Sequence, residues 1–256
     1  MTNKKPLILV TNDDGITAKG IQFLVQAMKP LGDIVVVAPD KPQSGMGHAI
    51  TIHHPLRLER SKVFGDIEAY TCSGTPVDCV KIAIYEVLKN RPALLVSGIN
   101  HGSNAATNIL YSGTMSAAVE GAIENVPSIG FSLLDFDKDA DFVASAHYAR
   151  KIAEQVLKNG IPGGNCLNVN IPKGTLAEIN GAKICRQGKA YWDDQFTKRQ
   201  APFGGDYYWM SGQFTVSDKG EDTDMWALDH NYVSIVPIQF DMTAHNLLAT
   251  LNEWEI

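Results

Sequence analysis

The residues with the clearest chemical potential are Asn12-Asp13-Asp14-Gly15, which follow the short apolar run Leu7–Thr11. Two adjacent carboxylates directly after a buried strand repel each other and resist desolvation, and a divalent cation relieves both costs. Gly15 lets the backbone turn sharply beneath them. Two further apolar runs lead into polar loops, Pro39-Asp40-Lys41-Pro42-Gln43-Ser44-Gly45 and Gly98-Ile99-Asn100-His101-Gly102-Ser103-Asn104. If the three strands are adjacent and parallel, these loops converge at the sheet edge where open α/β sheets bind ligands. Ser44 and Asn100 then add oxygen donors to Asp13 and Asp14. Hard oxygen ligation favours magnesium, manganese or calcium over zinc, and the expected cofactor is one magnesium or manganese ion per subunit. The competing reading has Asp13 or Asp14 simply capping the next helix.

Two segments resemble phosphate cradles. Ser73-Gly74-Thr75-Pro76 offers Thr75 as an N-cap and Pro76 as the first helical residue, and Tyr111-Ser112-Gly113-Thr114 precedes the small-residue helix Met115–Glu124. Helix N-termini present free N–H groups and a positive dipole end, which suit a phosphate. Taken alone, either segment is more often an ordinary cap, and only beside a metal loop do the two become informative. His48, His53 and His54 suggest a metal cluster, but neighbouring strand residues such as His53 and His54 point to opposite faces. Asp218 to Asp224 reads as a solvated loop, with Asp222 or Asp224 open to a second cation. Tyr207, Tyr208 and Trp209 can pack an interface or stack a base, and the interface is the better fit.

The elements that must position these groups follow from hydrophobic patterning. Leu7–Thr11, Ile34–Ala38, Ala93–Ser97, Ser128–Leu133 and Leu167–Ile171 are continuous apolar runs, the pattern of parallel strands covered on both faces. Between them lie helical patterns: Ile21, Leu24, Val25 and Met28 on one face, ending near Gly32; Val77, Val80, Ile84, Val87 and Leu88 after Pro76; Ala117 to Ile123; and Phe142 to Leu157. The alternation predicts a three-layer, Rossmann-like, doubly wound and mostly parallel α/β sheet in one domain spanning 1–256. Ile50 to Tyr70 has period-two stretches and predicts a hairpin or β-arm. Residues from about Ala190 to Asp229 are aromatic and Gly-rich and predict an extension beyond the core. Tyr232–Ile238 reads as a strand and Ala244–Trp254 as a terminal helix.

A length of 256 residues with 45% hydrophobic content can bury a sizeable core. The net charge of −6 argues against binding nucleic-acid polymers or anionic membranes through general electrostatics, while leaving room for a small anion at a bound metal. Cys72, Cys79, Cys166 and Cys185 are scattered without a CxxC pair, as expected of reduced, buried thiols. Asn3-Lys4-Lys5-Pro6 is a short polar start, no cationic apolar leader precedes it, and no apolar run approaches membrane-spanning length. The expectation is a cytoplasmic protein without a membrane segment.

Taken together and in order, the motifs closely resemble the SurE survival-protein family. They are Leu9-Val10-Thr11-Asn12-Asp13-Asp14-Gly15, Val37-Ala38-Pro39-Asp40 with Gln43-Ser44, Gly74-Thr75-Pro76 with Asp78-Cys79-Val80, Ser97-Gly98-Ile99-Asn100 with Gly102 and Asn104, and Ser112-Gly113-Thr114. The likeness continues through Arg186-Gln187, Pro202-Phe203-Gly204, Tyr207-Tyr208-Trp209 and Tyr232-Val233-Ser234-Ile235 with Pro237-Ile238. The resemblance implies a metal-dependent nucleotidase acting on nucleoside 5′- and 3′-monophosphates, and in some members on short polyphosphate. It implies metal ligation by Asp13, Asp14, Ser44 and Asn100, a phosphate surrounded by Asn104, Ser112, Gly113 and Thr114, and Asn12 and Gly74-Thr75 nearby. His101 stands at a variable position of the motif and is given no role. The resemblance also implies a homodimer or homotetramer with an exchanged C-terminal segment, for which residues 190–229 are the expected arm.

The expected chemistry is in-line attack of water on a cation-bound phosphate. Asp13 or Asp14 assists a proton transfer, and direct attack by a carboxylate stays open. Asn104 and Ser112 share the catalytic set with the two aspartates because they stabilise transition-state charge. A haloacid-dehalogenase-like phosphatase needs a one-residue gap between its aspartates, which Asn12-Asp13-Asp14-Gly15 lacks. A phosphate-accepting receiver needs an aspartate at the end of its third strand, where this chain has Ser97-Gly98-Ile99-Asn100.

Overall fold

The computed structural model describes residues 5–254, so Asn3 and Lys4 of the polar start lie outside the described residues. The central sheet has nine strands. They are β1 (Leu7–Thr11), β2 (Asp33–Pro39), β3 (Leu58–Arg60), β4 (Glu68–Cys72), β5 (Leu94–His101), β6 (Ser128–Leu133), β7 (Asn165–Ile171), β8 (Ala182–Ile184) and, after a separate hairpin, β11 (Val233–Gln239). Their order is β3-β4-β2-β1-β5-β6-β7-β11-β8. The run from β4 to β7 is parallel, while β3 and β11 join antiparallel to β4 and β7. The chain winds outward from β1 through β2 to β4, then returns to the far side of β1 as β5. The order therefore reverses between β1 and β5, and the crevice at their carboxyl ends is where such sheets bind ligands.

Four helices cover the two faces: α1 (Lys19–Met28) and α4 (Val143–Asn159) on one, α2 (Pro76–Ile82) and α3 (Gly113–Ile123) on the other. Ile21, Leu24, Val25 and Met28 of α1 meet Ile152, Ala153 and Val156 of α4 in the larger apolar core, against Ile8, Val10 and Val96. Leu9, Val37 and Leu95 face Cys79, Val80 and Ala117 in the second. The alternation of Ile8 and Val10 with Leu9 between two cores explains why the strands read as unbroken apolar runs.

The structure departs from the sequence reading in four places. β5 continues through Gly98 to His101: its pairing with β6 shifts register after Ser97 and resumes at Asn100↔Ser132, so the segment expected to be a loop is a bulged strand end. The β-arm contracts to the β3–β4 hairpin, which joins the sheet edge. The stretch expected to lie beyond the core divides in two. β9 (Ala190–Gln200) and β10 (Asp206–Val216) form a two-stranded hairpin of their own, whereas α5 (Asp224–Asp229) returns to pack on β11. The terminal helix is reduced to a 3₁₀ turn at His245–Leu247 and the single turn α6 (Leu248–Leu251), all of it exposed. A short amphipathic segment with no surface to bury its apolar face gains too little to hold a longer helix.

Gly20 shows how tightly α1 lies over the sheet. A Cβ there would stand 1.9 Å from the Ile99 carbonyl oxygen of β5. Helix propensity alone predicts that Gly20→Ala gains about 1 kcal/mol; the backbone contact predicts a loss of about 2 kcal/mol or more, because α1 must move off β5. Urea unfolding of the two proteins decides the sign, and a variant as stable as wild type rejects this packing.

Candidate active site

The chain leaves β1 at the switch point as Asn12-Asp13-Asp14-Gly15, and the Asn12 side chain ties the turn by donating to the Gly15 carbonyl at 2.9 Å. Helix α1 starts at Lys19 with Ala18 as its N-cap and no side-chain cap. Neither aspartate is therefore a capping residue, and the competing reading falls. The loop after β2 is stitched to this turn: the Gln43 N–H donates to the Asp13 carbonyl at 2.8 Å and the Ile16 N–H to the Pro39 carbonyl at 3.0 Å. Ser44, the next residue, is exposed beside that junction. At the end of β5, the Asn100 amide nitrogen donates to the His101 and Gly102 carbonyls, each at 3.0 Å, which leaves its oxygen as the free acceptor.

Helix α3 closes the opposite wall. A Cβ on Gly113 would lie 2.7 Å from the Asp13 Cβ and 3.0 Å from its Oδ2, so only glycine lets the helix start abut this carboxylate. The Thr114 hydroxyl donates to Asp13 Oδ1 at 2.5 Å. Ser112 is the N-cap: its oxygen accepts the Met115 N–H at 3.0 Å, and its own proton stays available for donation. Thr114 therefore serves Asp13 with its hydroxyl, leaving Ser112 and the Gly113 N–H as the donors of α3 for an anion.

Asn104 is held from beneath by a polar layer. Its amide nitrogen donates to Ser132 Oγ at 2.8 Å, leaving one amide N–H free. Its backbone N–H donates to Asn170 Oδ1 at 2.8 Å, and its carbonyl accepts from Asn168 at 2.9 Å. Asn170 donates in turn to Asn168 at 2.9 Å. Asp224, fully buried, accepts the N–H groups of Ala106 and Gly188, both at 2.8 Å, and so fastens this loop to the base of the β9–β10 hairpin. The reading of Asp224 as a cation ligand is corrected by these bonds, and Asp222 pairs with Arg186 at 2.8 Å. Sequence reasoning missed Ser132, Asn168, Asn170 and the placing of Asp224. The two asparagines had a signal: they alternate within an otherwise buried strand, so both amides face one side and need partners.

Other candidates lie apart from this cluster. Thr75 forms a capping box with Asp78, and its hydroxyl donates to the Ala49 carbonyl at 2.7 Å. A Cβ on Gly74 would lie 2.5 Å from Asp78 Oδ2. Gly74-Thr75 thus anchors the loop around Ala49 and builds the start of α2. His48 lies 2.9 Å from Glu120, while His53 and His54 are exposed, so the three histidines do not converge. All four cysteines are free and buried.

Electrostatically the site is an unbalanced anion. Burial first, and the Asp14 charge second, push the Asp13 carboxyl up to about 6, against the opposing hydrogen bonds from Thr114 and its own backbone. Burial also raises Asp14, partly offset by the charge and backbone N–H of His101. Among the described residues neither carboxylate has a salt-bridge partner. Asp14 Oδ2 and Asn12 Oδ1 are buried with no hydrogen-bond partner. Two crowded carboxylates with orphaned oxygens fit a hard divalent cation.

The raised Asp13 pKa has a consequence for stability without metal. Between about pH 4 and about pH 6 the folded protein holds a proton that the unfolded chain has released, so stability falls as pH rises through that window. Asp13→Asn removes the cost. In the metal-free protein it should raise stability at about pH 7.5, by about 3 kcal/mol or less, and the gain should vanish near pH 4. Urea unfolding at both pH values checks this, and a metal-free variant no more stable than wild type at about pH 7.5 contradicts it.

The family model described as "Survival protein SurE" matches residues 8–194. The chain is 59% identical over 257 residues to a Flavobacterium johnsoniae protein named 5′-nucleotidase SurE, covering 100% of this chain and 99% of that one. It is 57% identical to the protein of the same name from Cytophaga hutchinsonii, covering 98% of each. The crystal structure of the SurE protein from Aquifex aeolicus superposes with a TM-score of 0.85 at 39% identity, covering 96% of this chain and 98% of that chain. Matches of this extent set aside the dehalogenase-like and receiver readings, and the chain belongs to the SurE survival-protein family.

Proposed function

We propose that this protein is a divalent-cation-dependent phosphomonoesterase of the cytoplasm that releases phosphate from nucleoside 5′-monophosphates, with 3′-monophosphates and short polyphosphate as further substrates. The observation that carries the reading is the crowded pair at the β1/β5 switch point, Asp13 buried against the start of α3 and Asp14 half-buried beside it. The relatives named 5′-nucleotidase SurE support the substrate class. Asp13, Asp14, Ser44 and the free oxygen of Asn100 would hold magnesium or manganese. When bound, the cation supplies Lewis-acid polarisation of a phosphate oxygen. Ser112, the free N–H of Asn104 and the Gly113 N–H orient the phosphate and meet the charge that develops on it. One carboxylate of the pair takes the proton of the attacking water. Asn12, Gly74 and Thr75 act by shaping the loops around these groups.

The distal half of the β9–β10 hairpin is proposed as the assembly arm. Phe196, Phe203, Tyr208 and Trp209 are exposed there, as are Met242 and Trp254 in the C-terminal segment. That apolar surface favours two or four copies of the chain, exchanging this region about two-fold axes.

The activity is tested by phosphate release from all nucleoside monophosphates under metal titration. Exhaustive chelation should abolish turnover and magnesium or manganese should restore it; full activity in the chelated protein rejects the reading. For assembly, sedimentation at micromolar and nanomolar concentrations should show dimers or larger species. Replacing the hairpin tip with a short Gly/Ser linker should give monomers, and a wild-type protein that is monomeric throughout rejects the arm.

A further inference from the structure

A cavity begins one residue from the N-terminal end of α3. It has a volume of about 350 Å³ and is lined by Tyr111, Trp192, Asp194, Met210, Ser211 and Gly212. Tyr111 directly precedes Ser112, the N-cap of α3, so one wall of the cavity is continuous in the chain with the catalytic edge. The other wall is the β9–β10 hairpin from Trp192 near its base to Met210 midway along it, and that base is pinned to the same loop. The Thr107 hydroxyl donates to the Ala190 carbonyl at 2.7 Å, and the Trp192 indole N–H donates to Asn108 Oδ1 at 2.8 Å. Phe214, opposite Trp192 in the hairpin register, packs on it with ring centroids 5.3 Å apart. Trp192 is thus oriented on both its polar edge and its face, yet it remains 46% exposed, and Tyr111 is 60% exposed. Two large aromatic side chains on a cavity wall, one of them braced, leave apolar area open to water in a place where a flat ligand would cover it.

We propose that this cavity is the nucleoside subsite: the base of a bound nucleotide stacks on Trp192 and Tyr111 while its phosphate lies at Ser112 and Gly113. This inference rests on the nucleotidase reading above and extends it to the recognition of the leaving nucleoside. Stacking on aromatic faces accepts any base, because every base presents a π-face. Asp194, an acceptor only when ionised, adds recognition of a donor group on the nucleoside, either an N–H of the base or a hydroxyl of the ribose. Met210 supplies a polarizable apolar surface that adapts to bases of different size. The assignment gives the hairpin two roles that meet at the Phe196–Met210 pair, with the site on the base side of it and assembly on the tip side.

The experiment compares AMP and GMP with ribose 5-phosphate, which carries the same phosphoester without a base, for wild type, Trp192→Ala, Tyr111→Ala, Trp192→Phe and Asp194→Ala. For Trp192→Ala the ratio of kcat/KM for AMP over ribose 5-phosphate should fall roughly tenfold to a hundredfold, the range one aromatic–base stack supplies. The loss should lie mainly in KM. Tyr111→Ala should shift the ratio in the same direction, and Trp192→Phe should recover most of it. Asp194→Ala should lower the ratio if its partner is the base, or lower both substrates together if its partner is the ribose. An unchanged ratio in both Trp192→Ala and Tyr111→Ala overturns the subsite, as does a parallel loss on both substrates in these two variants. A wild-type protein that releases phosphate from no nucleoside monophosphate at any metal concentration instead overturns the parent reading.

Discussion

Two carboxylates that are neighbours in the chain, placed where water is largely excluded, each make the other harder to ionise. Asp13 and Asp14 stand in this position at the point where the sheet order reverses, and burial dominates the shift of both. The surrounding architecture manages that cost without cancelling it. Thr114 donates to Asp13 and the His101 backbone faces Asp14, yet one oxygen of Asp14 and the amide oxygen of Asn12 stay buried without partners. A fold that leaves such groups unsatisfied is held together elsewhere, here by the apolar cores on both faces of the sheet.

The close approach of α3 follows from the same constraint. A helix N-terminus carries partial positive charge and free N–H groups, so it is the backbone element best suited to sit against a carboxylate or a phosphate. Gly113 permits the contact, and Ser112 satisfies one orphan donor without using up its own proton. Beneath it, Asn104, Ser132, Asn168 and Asn170 form a hydrogen-bonded layer inside the sheet. In a low-dielectric interior such amides are costly unless paired, and once paired they hold Asn104 in one orientation.

The β9–β10 hairpin is coupled to the loop above this layer by the buried Asp224 carboxylate and by the bonds of Thr107 to Ala190 and Trp192 to Asn108. Asp224 binds the loop that follows β5 and the segment leading into β9, so the hairpin is anchored to the edge that carries Asn104 and not merely appended to the domain. Its first residues pack beside Asn108 and Tyr111, whereas the residues around its tip are exposed. The proposed nucleoside subsite and the proposed assembly arm thus share one hairpin.

The parallel core was legible in the sequence because a strand covered on both faces must be apolar throughout: the runs ending at Thr11 and Leu133 coincide with β1 and β6. The adjacent carboxylates Asp13 and Asp14 were legible after such a strand, but helix capping stayed open as their explanation until the structure gave the cap to Ala18. What the sequence could not decide were contacts between residues far apart in the chain. Ser-Gly-Thr occurs twice, its threonine capping α2 and its serine capping α3. Only the strand order puts the second copy on Asp13 and leaves the first to bind Ala49 and Asp78. The bulge that carries β5 on to His101, the burial of Asp224 and the meeting of Tyr111 with Trp192 are likewise products of packing. Local sequence determines which backbone conformations and surface polarities are affordable; which polar groups then meet is set by the long-range register of the sheet.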